Sequence, residues 1–187
     1  SPSGVGKTTI TKKLQQKYQN FKISISNTTR SPRSNEVDGI DYNFVSKDDF
    51  EAQIKNGEFY EYAKIFENYY GTLKKNVDQI FKNNDVLFDI DWQGTKQLSS
   101  FAHLNLIKIY LITDSKAELK KRLLKRDKNT KEEVEKRFKS FDDDVKHWND
   151  YDYVLINKNL EVCFKQIEQI ILNHKINKNI NFSHKSQ

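Results

Sequence analysis

The nine residues SPSGVGKTT that open the sequence constrain the fold more than any other stretch. Gly4, Gly6, Lys7 and Thr8 supply most of the pattern G-x-x-x-x-G-K-[ST], with Ser1 at the position of its leading glycine. Glycines let a backbone approach phosphate oxygens closely, and amides at a helix N-terminus turn partial positive charge toward them. Lys7 is then the side chain that reaches β- and γ-phosphates, and Thr8 the hydroxyl offered to Mg²⁺. Such a loop runs from the end of a buried strand into a helix. Ile10, Leu14 and Tyr18, at i, i+4 and i+8, supply the helix from a start at about Lys7. The strand has no counterpart ahead of Ser1, so the sequence predicts an N-terminally shortened version of a longer chain, with Ser1 tolerated in the loop's entry turn.

Downstream, strand-like and helix-like segments alternate. FKISIS at 21–26 alternates apolar and polar residues and predicts a strand, followed by the polar, proline-bearing loop NTTRSPRSNEVDG. Ser46 and Asp49 form a capping pair for a short helix with Phe50 and Ile54 on its apolar face and Asn56-Gly57 as its stop. DVLFDID at 85–91 and LIKIYLIT at 106–113 are nearly continuous apolar runs, the pattern of parallel strands covered on both faces. Ser115 with Glu118, and Thr130 with Glu133, cap two more helices. In the second, Val134, Phe138, Phe141, Val145 and Trp148 make a stripe that predicts core packing rather than a ligand platform. YDYVLIN at 151–157 predicts the last strand, and Leu160, Phe164, Ile167 and Ile171 the inner face of a closing helix. From about Asn173 apolar density falls and the tail is expected to fray. Strands alternating with helices imply an α/β fold on a parallel sheet.

Composition narrows the function. The 187 residues suffice for one domain with a substantial core, and no repeat or linker divides them. Lysine plus arginine (32) exceed aspartate plus glutamate (26), giving a net charge of +6 and a pI near 9.1. That balance favours phosphate-rich ligands and equally suits charges spread over solvated faces. The lone Cys163 excludes an intrachain disulfide and a cysteine-based zinc site, as expected of a reducing cytoplasm, and reads as a buried helix residue. Apolar runs such as IYLI at 109–112 are too short to span a bilayer and no basic-then-apolar leader is found, so a soluble cytoplasmic protein with no membrane partner is expected. No interleaved basic and aromatic platform points to nucleic acid. His103, His147, His174 and His184 show no ligand-like spacing.

Arg30 and Arg33 lie three apart in the proline-bearing loop, suited to presenting two guanidinium forks to one phosphate, where the bland alternative is a solvated surface. Tyr42 and Tyr70 carry hydroxyl donors that would complete such a cage. Three ordered segments enclose these residues: SNTTRSPR at 26–33, EVDGIDYNFV at 36–45 and NYYGT at 68–72. Together with DIDWQG at 89–94 and HWNDYDYVLIN at 147–157, they closely resemble the guanylate kinase family, over essentially the whole chain except the front strand and the tail.

The resemblance implies a P-loop nucleoside monophosphate kinase fold: a parallel central sheet flanked by helices, with a GMP-binding lobe and a small lid. A single domain is expected, with its core at 1–29, 84–125 and 142–172, the lobe at 30–83, the lid at 126–141 and a frayed tail at 173–187. It implies transfer of the γ-phosphate of ATP to GMP, and to dGMP as a second acceptor, with Mg²⁺. Ser3, Gly4, Val5, Gly6, Lys7, Thr8, Thr9, Arg122 and Asn157 match the ATP side. Ser26, Arg30, Arg33, Tyr42, Glu61, Tyr70, Thr72 and Asp91 match the GMP side. A carboxylate accepts guanine's N1 and N2 donors side by side and repels adenine's N1 lone pair; Glu61 matches the family's base-reading glutamate, its alternative being a helix-end surface charge. Lys7, Arg30, Arg33, Arg126 and Arg137 are the expected catalytic cations, the last two in a context that an ordinary solvated helix pair would also show. Asp89 either orders Mg²⁺ through water or holds the phosphate loop by hydrogen bonds. The chief rival is a non-catalytic guanylate kinase-like scaffold module that binds phosphopeptides; intact Gly6, Lys7 and Thr8 argue against it. A P-loop kinase for another acceptor is the second rival, and a monomer or a homodimer is equally compatible.

Overall fold

A computed structural model describes residues 1–125 and 131–184 of the chain. They group into two compact units, one of Lys7–Leu106 with Ser1, the other of Pro2–Gly6 with the chain from Ile107 onward.

In the first unit α1 (Lys7–Lys17) buries Ile10 and Leu14, as the apolar spacing predicts. Two short strands follow, β1 (Phe21–Ile23) and β2 (Asn27–Thr28), then β3 (Asn43–Phe44). Helix α2 (Lys47–Lys55) begins at Ser46, whose hydroxyl accepts the Asp49 N–H at 3.1 Å and donates to the Asp49 carboxylate at 2.6 Å; Gly57, at φ +64°, follows its end. Strands β4 (Phe59–Ile65) and β5 (Asn68–Leu73) form an antiparallel hairpin, continued by α3 (Lys74–Phe81), β6 (Asp85–Leu87) and α4 (Trp92–Leu98). Pairing of β1 with β6 is parallel, from Phe21↔Asp85 to Ile23↔Leu87. The order β3-β2-β5-β4 makes a second, mixed sheet. Of the expected strand over 21–26 only Phe21–Ile23 is strand, because residues 24–26 carry the chain across to β2 in the second sheet. Likewise the run 85–91 is strand only to Leu87; Asp91 instead caps α4.

Strand β4 separates two apolar clusters. Phe59 packs with Phe50 and Leu73, and Phe50 lies stacked between Phe59 (centroids 4.6 Å apart) and Tyr69 (5.3 Å). Tyr60 packs with Val77, Leu98 and Leu104. Register shifts between Phe59 and Glu61, which pair with the adjacent residues Leu73 and Thr72, so Tyr60 is the extra residue of a β-bulge.

The second unit is built on β7 (Ile109–Ile112), α5 (Lys116–Lys125), α6 (Lys131–Val145), β8 (Tyr153–Ile156) and α7 (Leu160–His184). Its β7 and β8 pair in parallel, and Leu119, Leu123, Val134, Phe141, Cys163, Phe164 and Ile167 are buried. Ser115 caps α5 by accepting the Glu118 N–H at 3.2 Å. One expectation is corrected. Trp148 is not part of the buried stripe: α6 ends at Val145, and Trp148 opens a 3₁₀ turn at 49% exposure. Helix α7 runs on past Asn173 to His184, through a stretch with no glycine or proline. Among the described residues no helix is long and apolar enough to cross a membrane.

Phe50 is fully buried between two rings, so truncation leaves a cavity that the stacked partners cannot fill. Phe50→Ala is expected to lower unfolding free energy by about 3–5 kcal/mol, read as a fall in the urea midpoint.

Candidate active site

The phosphate-loop glycines adopt the backbone that the pattern demands. Gly6 has φ +102°, and a Cβ there would meet Asn157 Nδ2 at 2.5 Å, so both conformation and space call for glycine. The crowding has a purpose. Asn157 is 3% exposed, donates its backbone N–H to Ile112 O at the end of β7 at 2.7 Å, and donates its side-chain amide to Val5 O at 2.8 Å. Arg122 in turn donates to Asn157 O at 2.8 Å and is held by Glu118 at 2.8 Å. Arg137, on α6, donates to Ser3 Oγ at 2.8 Å. Asn157, Arg122 and Arg137 are thus linked to loop residues 3–5, Asn157 through the loop's own carbonyl. Arg126 lies outside the described residues.

Lys7 and Thr8 open α1 in the first unit. Lys7 Nζ donates to Ser1 O at 3.0 Å, and the Thr8 hydroxyl donates to the Asp89 carboxylate just past β6. The second of the two roles open to Asp89, holding the loop's helix by a hydrogen bond, is therefore present. Thr9 is exposed beside it.

The segment 30–44 folds around one carboxylate. Glu36 accepts from Arg30 Nη2 at 2.9 Å, from Arg33 Nη1 at 3.0 Å and from the Arg33 backbone N–H at 2.8 Å. Burial opposes Arg30's charge, but Glu36, with Tyr70, more than offsets it and raises the guanidinium's pKa. Burial likewise works against the Glu36 carboxylate, and the Arg33 N–H and the Arg30 guanidinium prevail, holding it below the ordinary range. Arg30 also lies 5.4 Å from the Tyr42 ring centroid, and Tyr42 meets the Tyr70 ring edge-on at 6.0 Å. Asp41 ties the loop's far end to α1 by accepting from Lys12 at 2.7 Å, while its other oxygen takes the Val37 N–H at 3.0 Å. Arg30, Tyr42 and Tyr70 thus meet directly, and Arg33 joins them through Glu36.

The third cluster surrounds Glu61, which is 4% exposed on β4 rather than a helix-end surface charge. Because Tyr60 is a bulge, Tyr60 and Glu61 both turn toward α4: Tyr60 packs on Leu98, and the Glu61 carboxylate lies against Gly94. A Cβ at Gly94 would collide with Glu61 Oε2. Burial pushes the Glu61 carboxyl up to about 7; the neighbouring Asp91 charge adds to this and a hydrogen bond from Thr72 works against it. Thr72 Oγ1 also sits 3.4 Å from Ser26 Oγ. Asp91 accepts the Gly94 N–H at 3.0 Å as the N-cap of α4 and is bonded by Gln93 Nε2 at 3.1 Å. Gln97 docks α4 on β4 like a ladder partner, donating to Tyr62 O at 2.7 Å and accepting the Tyr62 N–H at 3.1 Å. Ser26, Glu61, Thr72 and Asp91 are thereby gathered into one polar cluster.

Two contributors were not singled out from the sequence. Glu36 is i+3 from Arg33 and i+6 from Arg30, a charge spacing that could have flagged it. Gly94 gave no local signal, because its requirement comes from a side chain 33 positions earlier.

The guanylate kinase family model matches residues 1–174. The guanylate kinase of Paramagnetospirillum magneticum is 41% identical over 172 residues, spanning 91% of this chain and 80% of that protein. That of Rickettsia felis is 42% identical over 173 residues, 92% of this chain and 90% of that protein. The crystal structure of guanylate kinase from Anaplasma phagocytophilum matches with a TM-score of 0.74 at 30% identity, over 90% of this chain and 81% of that one. With the family model matched over residues 1–174 and relatives about 40% identical over nine-tenths of its length, the chain belongs to the guanylate kinase family.

Proposed function

We infer that this chain transfers the γ-phosphate of ATP to GMP, giving ADP and GDP, with dGMP as a second acceptor. The observation that carries this reading is the buried Glu61 carboxylate with Thr72, Ser26 and Asp91 around it, in the same unit as the Arg30, Arg33, Tyr42 and Tyr70 cage. An anionic acceptor suits the pocket and the cage together: two N–H donors of guanine on Glu61, a phosphate on the two guanidiniums. The scaffold alternative would need only the cage; the intact Gly6, Lys7 and Thr8 favour the enzyme.

Phosphoryl transfer has a loose transition state with charge spread over the moving group, so positioning and cationic stabilisation carry the catalysis. Loop amides and Lys7 would hold the donor phosphates, and Arg30 and Arg33 would aim the acceptor phosphate. Arg137, bonded to Ser3, and Arg122, which braces Asn157, would bring positive charge to the donor side. Arg126 is proposed for the same role. The hydrogen-bonded Thr8 hydroxyl and Asp89 carboxylate are hard oxygen donors of the kind Mg²⁺ prefers, and they would hold it directly and through water. When bound, Mg²⁺ neutralises charge on the donor phosphates.

Coupled ADP release from Mg-ATP with GMP, dGMP, AMP, CMP or UMP tests the assignment: turnover with guanine acceptors alone supports it, and turnover with another base, or with none while GMP still binds, overturns it. Glu61→Ala is expected to cut kcat/KM for GMP about a hundredfold or more, from the loss of two charge-assisted hydrogen bonds, and to relax preference over AMP. Arg33→Ala is expected to weaken GMP and AMP alike, leaving the ratio unchanged.

Glu61 also predicts a pH dependence. Its carboxyl is raised to about 7 from an ordinary 4.5, so in the unliganded protein its contribution to stability is fully present below 4.5 and lost as pH rises through 7. Guanine requires the ionised form, and binding below pH 7 therefore releases a proton. GMP affinity is expected to fall up to tenfold per unit on acidification below about 7. Titration calorimetry of wild type against Glu61→Gln isolates this slope from the titration of the GMP phosphate, which both share.

A further inference from the structure

We propose that Glu36 is a positioning residue for the acceptor phosphate, fixing the Arg30 and Arg33 guanidiniums as a pair before any phosphate arrives; this rests on the reading of that cage as the GMP phosphate site. Two like charges in one short loop repel, and two long side chains have many rotamers to lose on binding. Glu36 answers both. Its Oε1 accepts from Arg30 Nη2 at 2.9 Å and Arg33 Nη1 at 3.0 Å, and its Oε2 takes the Arg33 backbone N–H at 2.8 Å and lies 2.9 Å from the same Arg30 nitrogen. One carboxylate thus spans both cations and the backbone between them.

The Glu36 N–H donates to Arg33 O at 3.1 Å, closing the turn that lets the carboxylate reach back. Arg30 is further fixed by its Nη1 bond to Ser31 O at 2.6 Å and by the ring faces of Tyr42 and Phe44, 5.4 and 5.8 Å from its Cζ. The cluster keeps one net positive charge from these three side chains. A guanidinium carries five N–H donors, more than these bonds consume, so a phosphate can bind both arginines with the Glu36 bonds retained. Glu36 would never touch the phosphate. Its effect is that a bridging anion meets a cation pair already spaced and aimed, with the ordering cost met during folding.

GMP and guanosine binding to wild type, Glu36→Gln and Glu36→Asp, measured by calorimetry, tests this. Glutamine keeps the size and loses the charge; aspartate keeps the charge and is one methylene too short to span both partners. Glu36→Gln is expected to weaken GMP about tenfold or more, Glu36→Asp less, and both should leave guanosine unchanged because it lacks the phosphate. Unchanged or tighter GMP binding by Glu36→Gln would overturn the proposal, showing a carboxylate that only competes with phosphate. Parallel loss of GMP and guanosine would also overturn it, showing a structural role alone. The outcome is separable from phosphoryl transfer: if wild type binds GMP with this pattern but releases no ADP, the kinase reading fails while the role of Glu36 stands.

Discussion

A carboxylate removed from water must be either neutral or well supplied with donors, and this requirement at Glu61 organises the first unit. Thr72 across the hairpin supplies one bond, while burial pushes the carboxyl up to about 7 and the charge of Asp91, capping α4, adds to that. Gly94 leaves the room, and Gln97 holds the helix against the strand through the Tyr62 backbone. Packing, capping and strand pairing all converge on a group poised between its charged and neutral forms.

The second polar centre uses the opposite strategy. Around Glu36 the charges are already balanced by ion pairs, with both oxygens of one carboxylate engaged by two arginines. In the proposed GMP site the base end would be completed by the ligand, whereas the phosphate end is assembled in advance. On that proposal, anchoring at one end and a titrating group at the other would let a single ligand be held firmly yet sorted by its base.

Much of this was legible in the sequence wherever the signal is local. Ser46 with Asp49 and Ser115 marked helix starts within a few residues of the observed ones, and the glycines and Lys7 marked the loop and α1. Arg30, Arg33, Tyr42 and Tyr70 were placed together through the family likeness, and the structure brings them together. What stayed hidden is non-local. The β4–β5 hairpin turns at Phe66-Glu67, with Phe66 at φ +55°, so none of the Asn-Gly chemistry that announces tight hairpins is present. Asn157 gave no hint that its amide would close on Val5 O, 152 residues away in sequence. Trp148 satisfied the helical spacing of α6 but lies beyond its end, since periodicity alone carries no stop signal.

The bulge at Tyr60 sets two consecutive residues of one strand to different tasks on the same side. Tyr60 belongs to an apolar cluster with Val77, Leu98 and Leu104, and it donates to Asp78; Glu61, its neighbour, turns its carboxylate to Gly94 and Thr72. Side chains that never approach a nucleotide therefore share a backbone hinge with the one that would distinguish its base. The aim of that carboxylate is thus tied to the packing of Leu98 and Leu104 against Tyr60, residues that lie in the core rather than beside it.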